Sequence, residues 1–274
     1  MHEAACMIRA RNLALGLLAV IFAVSLFANF LAPASYAAQF RDFVSSPASH
    51  RFWLGTDELG RDRWSRLLYG TRISLLLAPA AALLSTLVAV AIGGVAGYAG
   101  GWFDRIVRRV IDVFLSVPWL FLFLIVRALL PLNASPFASI AITFTIMGLV
   151  GWAPAARVIR AGAQSLRNSD LILYARTCGA TGPRLVLMHI APNLKPVIFA
   201  QFWIAIPTFI LGEASLGLIG LGVAEPLPSW GNLLRELTNP QAIAGNPWIL
   251  APLAVLVVVV SCFQLLLPEK EFAA

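Results

Sequence analysis

Long apolar runs separated by short polar stretches dominate the chain. Six of them, at 13–31, 73–98, 106–130, 137–159, 196–223 and 247–267, match or exceed the roughly twenty residues a helix needs to cross a hydrocarbon core. Each must satisfy its own backbone hydrogen bonds in lipid, which a helix does internally. The pattern therefore predicts an all-α, polytopic transmembrane bundle of six helices. It divides the chain into an N-terminal tail with the first helix (1–33), a polar loop (34–70), a five-helix core (71–267) holding a polar loop at 161–195, and a C-terminal tail (268–274). Ala34-Ser35-Tyr36-Ala37 offers small residues for signal cleavage, but a signal peptide carries an apolar core of only about 7–15 residues. The first run is longer and reads as a retained anchor.

The most informative interruption is Asn168–Asn193, NSDLILYARTCGATGPRLVLMHIAPN. Arg167, Asp170, Arg176 and Arg184 flank Gly179-Ala180, with Gly182-Pro183 behind and Pro192-Asn193 closing the stretch. A short amphipathic helix ending near the glycines would carry charge on one face and Leu171, Leu173 and Tyr174 on another. A docking surface and a plain solvated loop both fit that pattern.

Composition supports a membrane protein. Hydrophobic residues make up 59% and charged residues 12%, against about 25% charged in an ordinary soluble domain, and mean hydropathy is +0.83. The net charge of +7 does not imply nucleic acid, because the arginines sit at the ends of apolar runs instead of forming a contiguous basic face. With the N-terminus inside, the cytoplasmic loops hold Arg105, Arg108 and Arg109, then Arg157, Arg160, Arg167, Arg176, Arg184 and Lys195, then Lys270. Six crossings place both termini in the cytoplasm. Outer loops after the third and fifth runs hold little beyond Arg127 and Arg235, as the positive-inside rule asks. The first outer loop, with Arg61, Arg63, Arg66 and Arg72, departs from it.

Chemistry is sparse. Cys6, Cys178 and Cys262 show no metal or disulfide spacing, and no phosphate cradle or GxSxG elbow occurs. Asp57-Glu58 and Asp62 lack the spacing of a calcium loop and read as salt-bridged surface. No catalytic, metal or cofactor site is expected on this chain. Ionisable residues at membrane depth are Asp112, Arg127 and Glu213, each a functional candidate because charge is costly in hydrocarbon. Asp112 could pair with Arg108 or Arg109 one turn back, whereas Glu213 has no partner evident nearby and is expected to face a partner protein or a polar pathway. Gly93, Gly97 and Gly101 follow small-xxx-small spacing, and Pro118, Pro154 and Pro207 are expected to bend helices. A secondary transporter, and an intramembrane serine hydrolase using Ser215 and His189, remain as alternatives.

Residues 53–62 read Trp-Leu-Gly-Thr-Asp-Glu-Leu-Gly-Arg-Asp, followed by Ser65-Arg66-Leu67-Leu68-Tyr69-Gly70 and Arg72-Ile73-Ser74-Leu75. Gly97-Tyr98, Gly100-Gly101, Asp104-Arg105, Asp112, Pro118, Gly179-Ala180, His189–Asn193, Gly212-Glu213-Ala214, Leu221-Gly222 and Pro228-Ser229-Trp230-Gly231 come in order behind them. In this set the chain resembles the inner-membrane permease subunits of peptide and nickel ATP-binding-cassette importers, of the second-permease type. The resemblance covers nearly the whole chain. It implies a type I importer permease in the inner membrane, paired with a homologous second permease, two ATPase subunits that hold the ATP, and an extracytoplasmic solute-binding protein. It also implies that the loop 161–195 docks the ATPase through Asp170, Leu173, Tyr174, Arg176, Gly179, Ala180, Pro192 and Asn193. The Glu-Ala-Ala opening of the family's docking motif falls on Leu173, Tyr174 and Ala175, so its glutamate and first alanine are absent here.

Overall fold

The computed structural model describes residues 2–128 and 135–267. The tail 268–274 with Lys270, the end of the third apolar run and the Arg127 side chain lie outside the described residues. Helix α1 (His2–Leu26) is followed by a loop, then by α2 (Arg63–Ala89), a π turn at Val90–Gly94 and α3 (Val95–Ala99). Next come α4 (Gly101–Ser116), α5 (Trp119–Ala128), α6 (Pro136–Val150), α7 (Ala153–Arg167), the short α8 (Asp170–Thr177) and the long α9 (Ala191–Leu218). After the single turn and a half of α10 (Trp230–Leu234), α11 (Ala251–Leu265) ends the described chain.

Among the described residues, five helical stretches are long and apolar enough to cross a membrane: Met7–Leu26, Arg63–Ala99, Pro136–Arg167, Met188–Leu218 and Pro247–Leu265. The expected third run, 106–130, is not one helix. Val117 is extended (φ −97°, ψ 127°) between α4 and α5, because proline at 118 disfavours helical backbone in the residue before it. Pro154 also departs from expectation: it lies in the first turn of α7, where its missing N–H costs nothing. Pro79, inside α2, is an interior proline the sequence reading passed over.

The chain folds as two compact units, one built on Met1–Pro79, Arg127–Phe144 and Ile206–Leu266, the other on Ala80–Val126 and Thr145–Ala205. In the first, α1 packs on α11 through small positions, with Ala14 and Ser25 buried. In the second, α7 packs against α3, the preceding π turn and α4. The core there joins Ala89, Ala96, Val107, Ile111, Trp152, Ala156 and Ile159, and Trp152 meets Phe114 at 5.3 Å between ring centroids.

Small residues set the spacing of that second core. A Cβ on Gly93 would lie 2.5 Å from the Ala156 carbonyl oxygen, and one on Gly97 would overlap that of Arg160. Two backbones therefore touch where lipid offers no hydrophobic drive for helices to associate. Gly101 is different: it opens α4 at φ +64° with nothing within 4 Å of a built Cβ, so its role is conformational. Gly97→Ala is expected to destabilise the purified protein by about 1–3 kcal/mol through overpacking. Gly94→Ala, whose Cβ would first meet Ile159 at 3.8 Å, is expected to be neutral. Thermal melting in detergent checks the contrast, and equal melting of the two variants would contradict the packing described.

Candidate functional site: a docking loop and its supports

The polar stretch between α7 and α9 folds as a helix with a built end. Ser169 is extended (φ −79°, ψ 155°) at the N-cap of α8, its carbonyl accepts from the amides of Ile172 and Leu173, both at 3.1 Å, and its hydroxyl donates to the Leu166 carbonyl at 2.6 Å. At the other end the Gly179 amide donates to the Arg176 carbonyl at 2.9 Å and the Ala180 amide to Ala175 at 3.0 Å, with Gly179 at φ +80°. These paired bonds form a Schellman motif, which requires a left-handed residue and so favours glycine. No neighbour lies within 4 Å of a Cβ built on Gly179, so the requirement is for backbone conformation and not for space.

One side chain fastens α8 to the bundle. Ile172 is 1% exposed and packs with Ala163, Leu185, Ile190 and Leu194, with Tyr98, Ala175 and Ala180 against the same cluster. The Tyr98 hydroxyl also donates to the Gly182 carbonyl at 3.3 Å. Leu171, Leu173 and Tyr174 are left outward, the last two 60% and 71% exposed. Asp170 and Arg176 are exposed as well, and so are Pro192 and Asn193 at the start of α9. The Asn193 amide donates to the His189 carbonyl at 2.6 Å, closing the turn that enters α9. The sequence reading missed Ile172, which sits in the uniformly apolar run Leu171-Ile172-Leu173; the 172/175 spacing of the buried face was the signal available.

Charges brace the second unit near this loop. Asp104, 5% exposed, accepts from Arg160 at 2.5 Å and from Arg108 at 2.9 Å. Burial pushes its carboxyl up, but the two guanidinium partners outweigh that and hold its pKa below the ordinary 3.8. Asp112 does not pair with Arg108 or Arg109. Its carboxylate meets Arg157 of α7, both side chains 54% exposed, because α4 turns Asp112 toward α7 while Arg108 reaches back to Asp104. An ion pair so exposed contributes little in water.

Glu213 lies within the Met188–Leu218 stretch and is fully buried. Its partners come from its own chain, correcting the expectation of a partner protein or an open pathway. The Ser229 hydroxyl donates to one carboxylate oxygen at 2.6 Å and the Gly231 amide to the other at 3.2 Å. Ser229 caps α10, and Trp230, 0% exposed, donates through its indole to Thr71 at 3.1 Å and through its amide to Ser74 at 3.3 Å. A Cβ on Gly217 would overlap the Gly231 backbone, so small residues on both segments permit the approach. Pro228-Ser229-Trp230-Gly231 thus sits as a clasp over the end of α9.

The loop 34–70 ends in an ion network whose arginines and Asp57 are buried while Glu225 is exposed, where a surface cluster was expected. The Asp57 carboxylate accepts from the amides of Leu59 and Arg61 and from the Arg61 guanidinium at 2.6 Å. Arg61 and Arg66 both reach Glu225, at 2.6 and 3.0 Å, and Arg63 reaches Glu236 at 2.7 Å. Burial lowers the pKa of Arg61, yet Asp57 and Glu225 more than offset it and leave it raised; burial raises that of Glu236 against the pull of Arg63. No cluster of three or more acidic, His or Cys side chains suited to a metal occurs among the described residues. Ser215 donates to the Leu211 carbonyl at 2.8 Å, an ordinary helical hydroxyl contact.

An all-α chain with several helices long and apolar enough to cross a membrane, glycine-mediated helix contacts and a capped amphipathic helix on a loop has the build of a multi-pass membrane protein. Residues 89–267 match the family of binding-protein-dependent transport system inner membrane components, and the chain belongs to that family. It is therefore a multi-pass inner-membrane permease subunit of an ABC importer and carries no catalytic centre of its own. It is 35% identical over 232 residues to the dipeptide transport system permease DppC of Bacillus subtilis, covering 85% of this chain and 70% of that protein. It is 34% identical to the oligopeptide permease OppC of the same organism (85% and 73%) and 33% identical to the glutathione permease GsiD of Pectobacterium atrosepticum (90% and 80%). Among solved structures it shares its fold with a chain of the MetNI methionine ABC transporter in an inward-facing conformation. The TM-score is 0.54 with 19% identity, covering 72% of this chain and 91% of that one.

Glu213→Leu leaves the Ser229 hydroxyl and the Gly231 amide without an acceptor at a buried site, and is expected to destabilise the protein by about 1–3 kcal/mol. Glu213→Gln keeps an acceptor oxygen and should recover part of that loss. Melting of the two variants beside wild type measures it, and a wild-type midpoint for Glu213→Leu would show that the clasp does not stabilise the fold.

Proposed function

We propose that this chain is the second permease of an importer of peptides, working with a homologous permease, two ATP-binding ATPase subunits and an extracytoplasmic binding protein. The peptide assignment is drawn from relatives named for dipeptides, oligopeptides and glutathione. In this reading the chain has the six-helix, type I arrangement, five of the helices in the core, with the 106–130 run supplying the broken third crossing and both termini in the cytoplasm. The segments 1–33, 34–70, 71–267 and 268–274 then serve as anchor, outer loop, permease core and tail.

The docking element is α8. The observation that carries this is its construction: an eight-residue helix anchored by Ile172 and stopped by the Schellman turn at Gly179, with Leu173 and Tyr174 outward. A stiff helix with one face in the bundle and an apolar face outside passes displacement on as a rigid body, as alternating access requires. Asp170 and Arg176 flank that apolar face, and Ala180, Pro192 and Asn193 shape the chain that returns to the membrane. Closure of the ATPase pair supplies the difference in affinity between inward and outward states, without which no ligand shifts a conformational equilibrium. The absent glutamate of the family's motif leaves apolar contact as the main attachment.

Leu173→Ser together with Tyr174→Ser removes two large apolar side chains, each worth about 1.5–3 kcal/mol if fully buried by a partner. Recovery of the ATPase subunits with the tagged chain is expected to fall at least about tenfold, while the second permease stays bound. Undiminished ATPase recovery and peptide uptake would reject α8 as the docking element.

A further inference from the structure

Four arginines cluster at the start of α2, Arg61 just before it and Arg63, Arg66 and Arg72 within its first three turns, and among the described residues three of them meet carboxylates. Arg61 pairs with Asp57 and Glu225, Arg63 with Glu236 and Arg66 with Glu225. Arg72, half-buried two and a half turns into the helix, pairs with no carboxylate among the described residues. One of its nitrogens donates to the Asn29 side chain at 3.2 Å, and its guanidinium lies 5.1 Å from the Tyr69 ring centroid. A charge so placed in a membrane-crossing helix is expensive unless water or an anion reaches it.

Beside it opens a cavity of about 420 Å³, within the range of about 300–1,000 Å³ usual for small-molecule sites. Its lining combines two chemistries. Arg72, Tyr36 and Tyr69 stand together, the two tyrosine rings edge to face at 5.0 Å. Leu76, one turn beyond Arg72 on the same helix, forms an apolar wall with Ile140 and the 74% exposed Phe137. Guanidinium donors match phosphate oxygens in a planar fork, and tyrosines favour the junction of apolar and wet surroundings.

We propose that this groove is a phospholipid site, in which Arg72 holds the phosphate beside Tyr36 and Tyr69 and an acyl chain runs between Leu76, Phe137 and Ile140. A cation beside an apolar wall complements the two parts of such a lipid. A helix of a neighbouring protein would fill the apolar part but needs an added acid at a fixed depth to answer Arg72. The bilayer supplies both parts at once.

Native mass spectrometry of the complex this chain forms, released from phosphatidylglycerol nanodiscs, tests the proposal in wild type, Arg72→Gln and Ala141→Trp. Ala141 lines the groove, so tryptophan there blocks the acyl chain and leaves the cation in place. Wild type should retain a phospholipid that each variant loses about tenfold, the loss of one charge-assisted contact or of the acyl channel. The variants act on different lining elements, so a folding failure in one leaves the other decisive. Equal lipid retention in all three proteins overturns the site. Loss of another protein subunit from Ala141→Trp with lipid retention unchanged also overturns it, and assigns the groove to a protein contact.

Discussion

The second unit depends on two glycines that let helix backbones touch. In hydrocarbon, apolar side chains gain nothing by turning away from lipid, so helices associate through close packing and buried polar contacts. Gly93 and Gly97 bring α3 and its π turn onto the carbonyls of Ala156 and Arg160. That approach makes α7 a fixed wall of the unit, and Arg160, on that wall, reaches Asp104 of α4. The same wall carries Ala163, against which Ile172 seats α8. A side chain on either glycine would separate the helices and with them the polar bracing and the seat of the loop helix.

The first unit solves the same problem with hydrogen bonds. Glu213 is buried with two donors from the segment that folds back over α9, an arrangement that avoids the several kcal/mol an unsatisfied buried carboxylate costs. The arginines at the start of α2 are held by Asp57, Glu225 and Glu236, so three cations that break the positive-inside pattern sit in a compensated network instead of acting as topology signals. Arg72 stands apart from that network, which is why it points to a ligand and the other three do not.

The apolar runs, the all-α class and the polar stretch that becomes α8 are legible in the sequence because each depends on composition within a window of about one helix length. Side-chain partners are not. Glu213 finds Ser229 and Gly231 across a reversed chain, and Asp112 finds Arg157 on α7 instead of Arg108 on its own helix. Both depend on which helices meet, which local spacing does not encode. Ile172 was hidden because it lies among equally apolar neighbours, and the face that packs is chosen by α7 and the start of α9. Pro118 and Pro154 look alike in sequence, yet one breaks a helix and the other begins one.

Cys178 offers a direct reading of where α8 sits. It lies exposed at the C-cap of that helix, beside the outward Tyr174. With Cys6 and Cys262 replaced by serine, a short maleimide–diazirine cross-linker attached to Cys178 in the assembled transporter should, on photolysis, join it to an ATPase subunit, with a yield that changes with nucleotide. Full labelling of Cys178 by a simple maleimide, with no ATPase adduct in any nucleotide state, would contradict the coupling of α8 to the ATPase.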